Sequence, residues 1–388
     1  MNQKIIRDII ITASITVLFF FIFIFLIERL EWQDITDHAK FSLDMMTGKA
    51  PIEGNLLLYL LVHLFTLCST NLESHVISIC ALIAIGISIR YVWVQHNIYA
   101  LNLISDSANK QYWLSVLIAL SLLFVYAIPI PNYFLRGYFQ YGAFVPNLWN
   151  NSTTIFLFPF AIVLFYKGYQ QIEGYKWKRD LVLFLLILLN VFIKPSFFFV
   201  FIIVYPLFML YKYKFNKTFW LSLLPLFLGG LCVLLEYYTI YIQGNKLDSE
   251  PSFVVFSPLD MYNHFAQIRT LPFSLIFSML FPLTYYLLNF KEVKNNLLAG
   301  FVFVSMVVAI LIFLLINESG PRGLHSNFYW QIVICVWLFF YQSLIFLLTD
   351  IKKQGWTIKN KLLLSLYSIH VIIGVIYLIR MYITGTFF

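Results

Sequence analysis

The chain has 388 residues, of which 61% are hydrophobic and only 11% charged, with a mean hydropathy of +0.82. Such usage excludes a soluble globular domain and reads as a polytopic membrane protein. The formal charge of +8 gives no reason to expect a nucleic-acid partner, because the basic excess falls in short loops on one membrane face.

The first apolar run, Ile9–Ile27, has 19 residues and no small-residue cleavage site before Glu28 and Arg29. It is longer than the apolar region of a signal peptide, so it is expected to stay as a membrane anchor. Past it, Trp32 to Met46 has helical spacing, with Ile35, Ala39, Leu43 and Met46 on one stripe and Asp34, Asp37, Lys40 and Asp44 elsewhere. This pattern predicts an amphipathic helix on the lipid surface. Gly48, Pro51 and Gly54 then break the chain before a second surface helix.

Twelve apolar runs can be read: Ile9–Ile27, Leu56–Cys68, Val76–Val94, Trp113–Ile130, Thr153–Tyr166, Leu181–Ile193, Phe197–Tyr211, Phe219–Ile242, Leu271–Phe290, Leu297–Ile316, Phe328–Leu348 and Leu362–Thr384. The second has only 13 residues, short of the ~20 needed to span. If it does not cross and the N-terminus is cytoplasmic, 17 of the 26 Lys and Arg lie inside, among them Arg90, Lys178, Arg179, Lys212 and Lys214. If it crossed, only 8 would. The positive-inside rule selects the first arrangement. The expected fold is therefore all-α, with about 11 transmembrane helices, interfacial helices in a first external loop over 28–75, and an external C-terminus. No polar stretch exceeds about 30 residues, which leaves no room for a separate soluble domain, so 1–388 is read as one integral-membrane domain.

This topology places most of the acid outside, including Glu28, Glu31, Asp34, Asp37, Asp44, Glu53, Glu236, Asp248, Glu250 and Glu318. Carboxylates beside a bilayer need a reason, since lipid offers them no hydration. Asp34 and Asp37 stand out, with His38 one helical turn from Asp34. Lys194, with Pro195 and Ser196, interrupts an apolar block whose ends are held inside by Lys178 and Lys212. An ammonium there calls for an anionic partner, or for snorkelling to outer headgroups. Arg136 and Arg322 are outward cations among aromatic and Gly residues, suited to bidentate contact with phosphate. The four cysteines lie in or at the ends of apolar runs without CxxC pairing, and read as small hydrophobes. No metal-ligand spacing, Ser/His/Asp signature or phosphate-binding Gly loop is present.

A first span, an outward loop opening on an acidic motif, two surface helices and a series of further spans resemble the GT-C superfamily of integral-membrane glycosyltransferases. Asp34, His38, Ala39 and Gly48 match the start of that family's first loop, with Asp37 as a competing acid. Asn147-Leu148-Trp149-Asn150-Asn151-Ser152-Thr153 is similar to an Asn-x-Trp-His-Asn-Pro-Thr pattern of bacterial members, with Asn150 in place of His and Ser152 in place of Pro. The resemblance implies a polyprenyl-phosphate sugar as donor, and a glycan, lipid or protein acceptor at the outer face of the plasma membrane. It implies no cofactor, and neither a DxD metal motif nor a nucleotide-binding domain is present.

That chemistry needs a base near the acceptor hydroxyl and cations around the leaving phosphate. Partial desolvation raises a carboxyl toward neutrality, which suits a general base, and Asp34, then Asp37, are the candidates. Lys194, Arg136, Arg322 and His38 are the phosphate candidates, and Asn147, Trp149, Asn150 and His325 the candidates for a sugar or acceptor pocket. For each, a structural role at the interface is the alternative. A transporter or flippase of lipid-linked sugars is the second function considered. Transporters show paired halves with matching broken helices, and no internal repeat is visible in this chain. A membrane polysaccharide polymerase, relying on external Arg residues, is the third.

Overall fold

The computed structural model describes residues 3–30, 34–50, 56–103, 107–140, 142–243 and 251–387. Glu31, Trp32, Pro51, Glu53, Gly54, Asp248 and Glu250, used in the sequence reading, lie outside the described residues.

The chain is a helical membrane protein. Its first part forms α1 (Gln3–Arg29), α2 (Asp34–Met46), α3 (Leu57–Phe65), α4 (Leu72–Leu101), α5 (Ala108–Phe124) and α6 (Asn132–Arg136). The middle forms α7 (Ser152–Glu173), α8 (Lys178–Ile193), α9 (Ser196–Tyr213), α10 (Lys217–Ser222), α11 (Leu224–Tyr237) and α12 (Asp260–Phe265). Then follow α13 (Leu271–Ser278), α14 (Leu280–Leu288), α15 (Phe290–Val293), α16 (Leu297–Leu315), α17 (Trp330–Gln354) and α18 (Ile358–Thr384). Two short strands, β1 (Val254–Phe256) and β2 (Ile316–Glu318), pair antiparallel, with Val254 opposite Glu318.

Among the described residues, eight helical segments are long and apolar enough to cross a membrane: α1, α4, α7, α9, the run Lys217–Gln243 through α10 and α11, α16, a run ending in α17, and α18. The pair α13–α14, bent by 70°, makes a ninth if it counts as one span. The remaining two runs read as spans form α5 and α8, of 17 and 16 residues. Both stop early, α5 where Val125 turns extended and α8 at the extended Lys194. An expected count of about eleven thus depends on two helices shorter than a full crossing.

The loops collect at two ends of the bundle. At one, Asp34 meets Ser152, Tyr329 meets Ala143, and β1 pairs with β2. At the other, Arg7 meets Asn109, Tyr285 meets Asp350, and Lys359 meets Asn289. The short α3 belongs wholly to the first end, where His63 contacts the Ser42 carbonyl and His75 contacts Ser42 and Ser69. α2 buries Ile35, Ala39, Ser42 and Met45. Its inner face therefore departs in its second half from the expected Leu43 and Met46, because Ser42 is drawn inward by two imidazoles.

One close approach fixes how the last helix packs. Past α5 the backbone of Tyr126 pairs with α18, its N–H on the His370 carbonyl at 3.1 Å and its carbonyl on His370 Nδ1 at 2.6 Å. A Cβ on Gly374 would lie 1.6 Å from the Phe124 carbonyl oxygen. Gly374→Ala is thus expected to push α18 off α5 and to destabilise the protein by at least about 1–3 kcal/mol, read as a lower thermal midpoint of the detergent-solubilised chain.

Candidate functional site

Asp34 is the first residue of α2, and its carboxylate faces the start of α7. Oδ2 accepts from the Ser152 N–H at 2.8 Å and from Ser152 Oγ at 2.7 Å, while Oδ1 accepts from Asn151 Nδ2 at 3.3 Å. His38, one turn on, places Nε2 3.4 Å from Asp34 Oδ1 and Nδ1 2.6 Å from the hydroxyl of the buried Tyr59. An α2 carboxylate, an imidazole and an α3 phenol therefore form one chain. Asp34 retains 13% and His38 22% of their side-chain surface, so the chain is reachable from one side.

Burial pushes the Asp34 carboxyl up, yet the charge and hydrogen bond of His38 and the two Ser152 bonds outweigh it and leave the group below its ordinary value. This corrects the expectation of a carboxyl raised toward neutrality. Desolvation acts as anticipated, but four polar contacts stabilise the anion. Asp34 is accordingly an ionised acceptor over the whole neutral range.

Lys194 sits where α8 ends and α9 has not begun. It does not snorkel outward. It is 9% exposed, and its Nζ donates to Asn151 Oδ1 and Thr153 Oγ1, both at 3.0 Å, with the Trp330 ring centroid 4.9 Å away. Asn151 thus joins the two charged candidates, its amide N–H on Asp34 and its amide oxygen on the Lys194 ammonium. The same oxygen caps α7 by accepting from the Thr154 N–H at 3.0 Å. Burial pulls the Lys194 ammonium down to about 8, opposed by the negative charges of Asp34, Glu236 and Glu318.

The surroundings add a second acid. Glu318, on β2 and 2% exposed, accepts from Arg322 Nε at 3.0 Å, from Asn327 Nδ2 at 2.6 Å and from the Tyr241 hydroxyl. Arg322 is consequently held by Glu318 and lies over the Tyr241 ring. His325 keeps much of its surface in the open, yet partial loss of water around its ring and the nearby Arg322 hold its pKa below the usual imidazole range.

Other sequence candidates lie apart from this cluster. Asp37 is exposed and makes no hydrogen bond or ion pair with a described residue. Arg136 is exposed, with one 3.5 Å contact to the Phe265 carbonyl. Trp149 is core: its indole stacks on Phe19 with centroids 5.8 Å apart and borders Phe23 and Phe124. Asn147 takes the two terminal nitrogens of Arg90 on its side-chain oxygen, at 3.4 and 3.3 Å, and donates to the Leu123 carbonyl. Asn150 is buried, with its side-chain oxygen unbonded. Arg90, counted with the cytoplasmic charges, proves 97% buried inside α4 (3% exposed), over the Phe158 ring. Its place inside an apolar run was the signal for that, and its hold on Asn147 steadies the loop leading to Asn151.

Sequence reasoning quoted Asn151, Ser152 and Thr153 only as part of a motif and missed their linking role, and it missed Tyr59 and Trp330 altogether. Nothing in the sequence marks Tyr59 and Trp330 or says that Asn151 joins two charges, because Tyr59, Asn151 and Trp330 reach the site from three separate parts of the chain. Asn151→Asp separates cap from link, since Asp caps a helix as well as Asn but cannot donate to Asp34. The variant is expected to keep the α7 cap but, as like charges at hydrogen-bond distance disfavour two ionised carboxylates, to have a thermal midpoint lowered more at neutral than at acidic pH.

Among the described residues, no group of three or more His, Cys, Asp or Glu is arranged to hold a metal ion. No protein-family model matches the chain, and comparison with curated proteins yields no match.

Proposed function

We propose that the chain is a GT-C-type glycosyltransferase that moves a sugar from a polyprenyl-phosphate carrier to a hydroxyl of a glycan, lipid or protein. The observation that carries this reading is the Asn151 bridge, which holds an ionised carboxylate and a buried ammonium on opposite ends of one amide. In the reaction, the Asp34 carboxylate takes the proton of the acceptor hydroxyl, whose oxygen attacks the anomeric carbon. The bond from that carbon to the phosphate oxygen breaks, and the electron pair leaves on the polyprenyl phosphate facing Lys194. Inversion follows from a single displacement. His38, fixed between Asp34 and Tyr59, orients the base. Arg322, ion-paired with Glu318, lies in the neighbouring loop.

This reading puts the site on the external face of the plasma membrane and the N-terminus in the cytoplasm, which the basic residues of the short loops support. Cys68 is exposed at the Asp34 end of the bundle, whereas Cys80 and Cys335 are buried. A membrane-impermeant maleimide applied to intact cells is expected to label Cys68. Labelling only after the cells are opened would put the site in the cytoplasm and remove the reading. Transfer itself is tested by incubating purified protein with polyprenyl-phosphate sugars in liposomes and following release of polyprenyl phosphate, which a flippase would not produce.

A further inference from the structure

At the end of the bundle away from Asp34, an open groove of about 530 Å³ runs between α1 and α4. From α1 it takes Ile5, Asp8, Ile9, Thr12, Ala13 and Thr16, which recur at steps of three and four residues, so one face of that helix lines it. Val92, Gln95 and His96 of α4 stand opposite. From Ile5 to Thr16 the helix rises about 17 Å, close to one leaflet of a hydrocarbon core ~30 Å thick. At roughly 30 Å³ for each water-sized group, the groove holds roughly 18 of them, the content of a single acyl chain.

The deep part of the groove suits hydrocarbon, because its polar groups are engaged. The Thr16 and Ser88 hydroxyls lie 2.7 Å apart, each also within reach of a carbonyl one turn back, and Gln95 Nε2 donates to Ser115 Oγ at 3.1 Å. The mouth is different. Followed for one more turn, the two walls arrive at Lys4 and Tyr99, where the Lys4 ammonium stands 3.7 Å from the ring centroid. Arg7 lies beside it, 4.5 Å over the Tyr112 ring, with Nη1 donating to Asn109 Oδ1 at 3.3 Å, and the next residue, Lys110, is exposed. Asp8, the acid on the groove wall, accepts from the same Tyr112 hydroxyl at 2.7 Å. Lys4, Arg7 and Lys110 against Asp8 leave the mouth with an excess of positive charge.

We infer that this groove binds an acidic phospholipid, one acyl chain lying between α1 and α4 and the phosphate resting at Lys4 and Arg7. A choline headgroup would bring its own cation to a mouth that already carries surplus positive charge, so a lipid of net negative charge is preferred. The site stands at the end of the bundle away from Asp34 and holds whether or not the chain transfers sugars.

The test is native mass spectrometry of the purified full-length protein in detergent, offered equal amounts of phosphatidylglycerol and phosphatidylcholine with identical acyl chains. The most tightly held lipid is expected to be phosphatidylglycerol by at least about five-fold, the weight of one surplus basic residue at a headgroup. Replacing both cations, Lys4→Gln with Arg7→Gln, should bring that ratio below about two-fold. Ala13→Trp, which fills the groove from α1, should lower retention of either lipid by at least about three-fold through the apolar contact it removes. Val92→Trp fills it from α4 should the first fail to fold. Equal retention of the two lipids by the parent protein overturns the inference, as does a preference that outlasts both cations. Unchanged retention in a folded filling variant puts the lipid on another surface and overturns it as well.

Discussion

On the proposed glycosyltransferase reading, Asp34→Asn is expected to lower the rate of sugar transfer by about 10²–10⁴-fold, the usual weight of a positioned general base, with little change in the amount of folded protein. The amide can still accept from Ser152, so the contact between α2 and α7 persists. What disappears is the negative charge, and with it the ability to receive a proton. Asp37→Asn is the matched control. Its carboxylate is exposed and free of bonds to described residues, so activity is expected to stay within about two-fold of the parent, as for surface substitutions generally. Release of polyprenyl phosphate, measured at equal protein level, checks both. Full activity in Asp34→Asn, or loss confined to Asp37→Asn, would move the base away from the Asn151 bridge.

The second large effect belongs to Lys194, where two pH dependences run in opposite directions. Burial brings its ammonium from the ordinary 10.5 down to about 8. Between those values the unfolded chain holds the proton and the folded chain does not, so this residue makes stability rise with pH across the window. Affinity for a phosphate that needs the charged ammonium falls instead as pH passes about 8. Binding of the lipid phosphate is therefore expected to weaken by about ten-fold between pH 7 and pH 9, roughly one hydrogen bond to a charged group. Lys194→Met should weaken it by about 10–100-fold already at pH 7 and flatten the profile. Lys194→Arg keeps the charge without titrating near neutrality and should also flatten the profile, at an affinity closer to the parent. A Met variant that retains both affinity and pH response would show that Lys194 only steadies the loop between α8 and α9.

Tyr59 bears on both results. It joins α3 to the imidazole of His38 at 2.6 Å, which ties the proposed base to a helix of 9 residues, too short to cross a membrane. α3 thereby acquires a polar contact that its apolar composition did not disclose. The same holds for α2, whose inward Ser42 is claimed by His63 and His75.

By itself the sequence determined that the chain lives in a membrane, where its apolar runs begin and end, and that Leu56–Cys68 is too short to cross. Those properties follow from local composition, since a lipid environment forces each run to close its own backbone hydrogen bonds as a helix. It also singled out Asp34 and Lys194, because a charge next to or inside an apolar run shows up without knowing its neighbours. The tertiary structure alone decided which polar groups meet: that Asn151 spans the two charges, that Trp149 belongs to the core, that Arg90 turns to Asn147, and that Glu318 holds Arg322. Side chains from separate helices are brought together by packing across the bundle. Their pairing leaves no periodic trace along the chain, so only the folded arrangement could assign it.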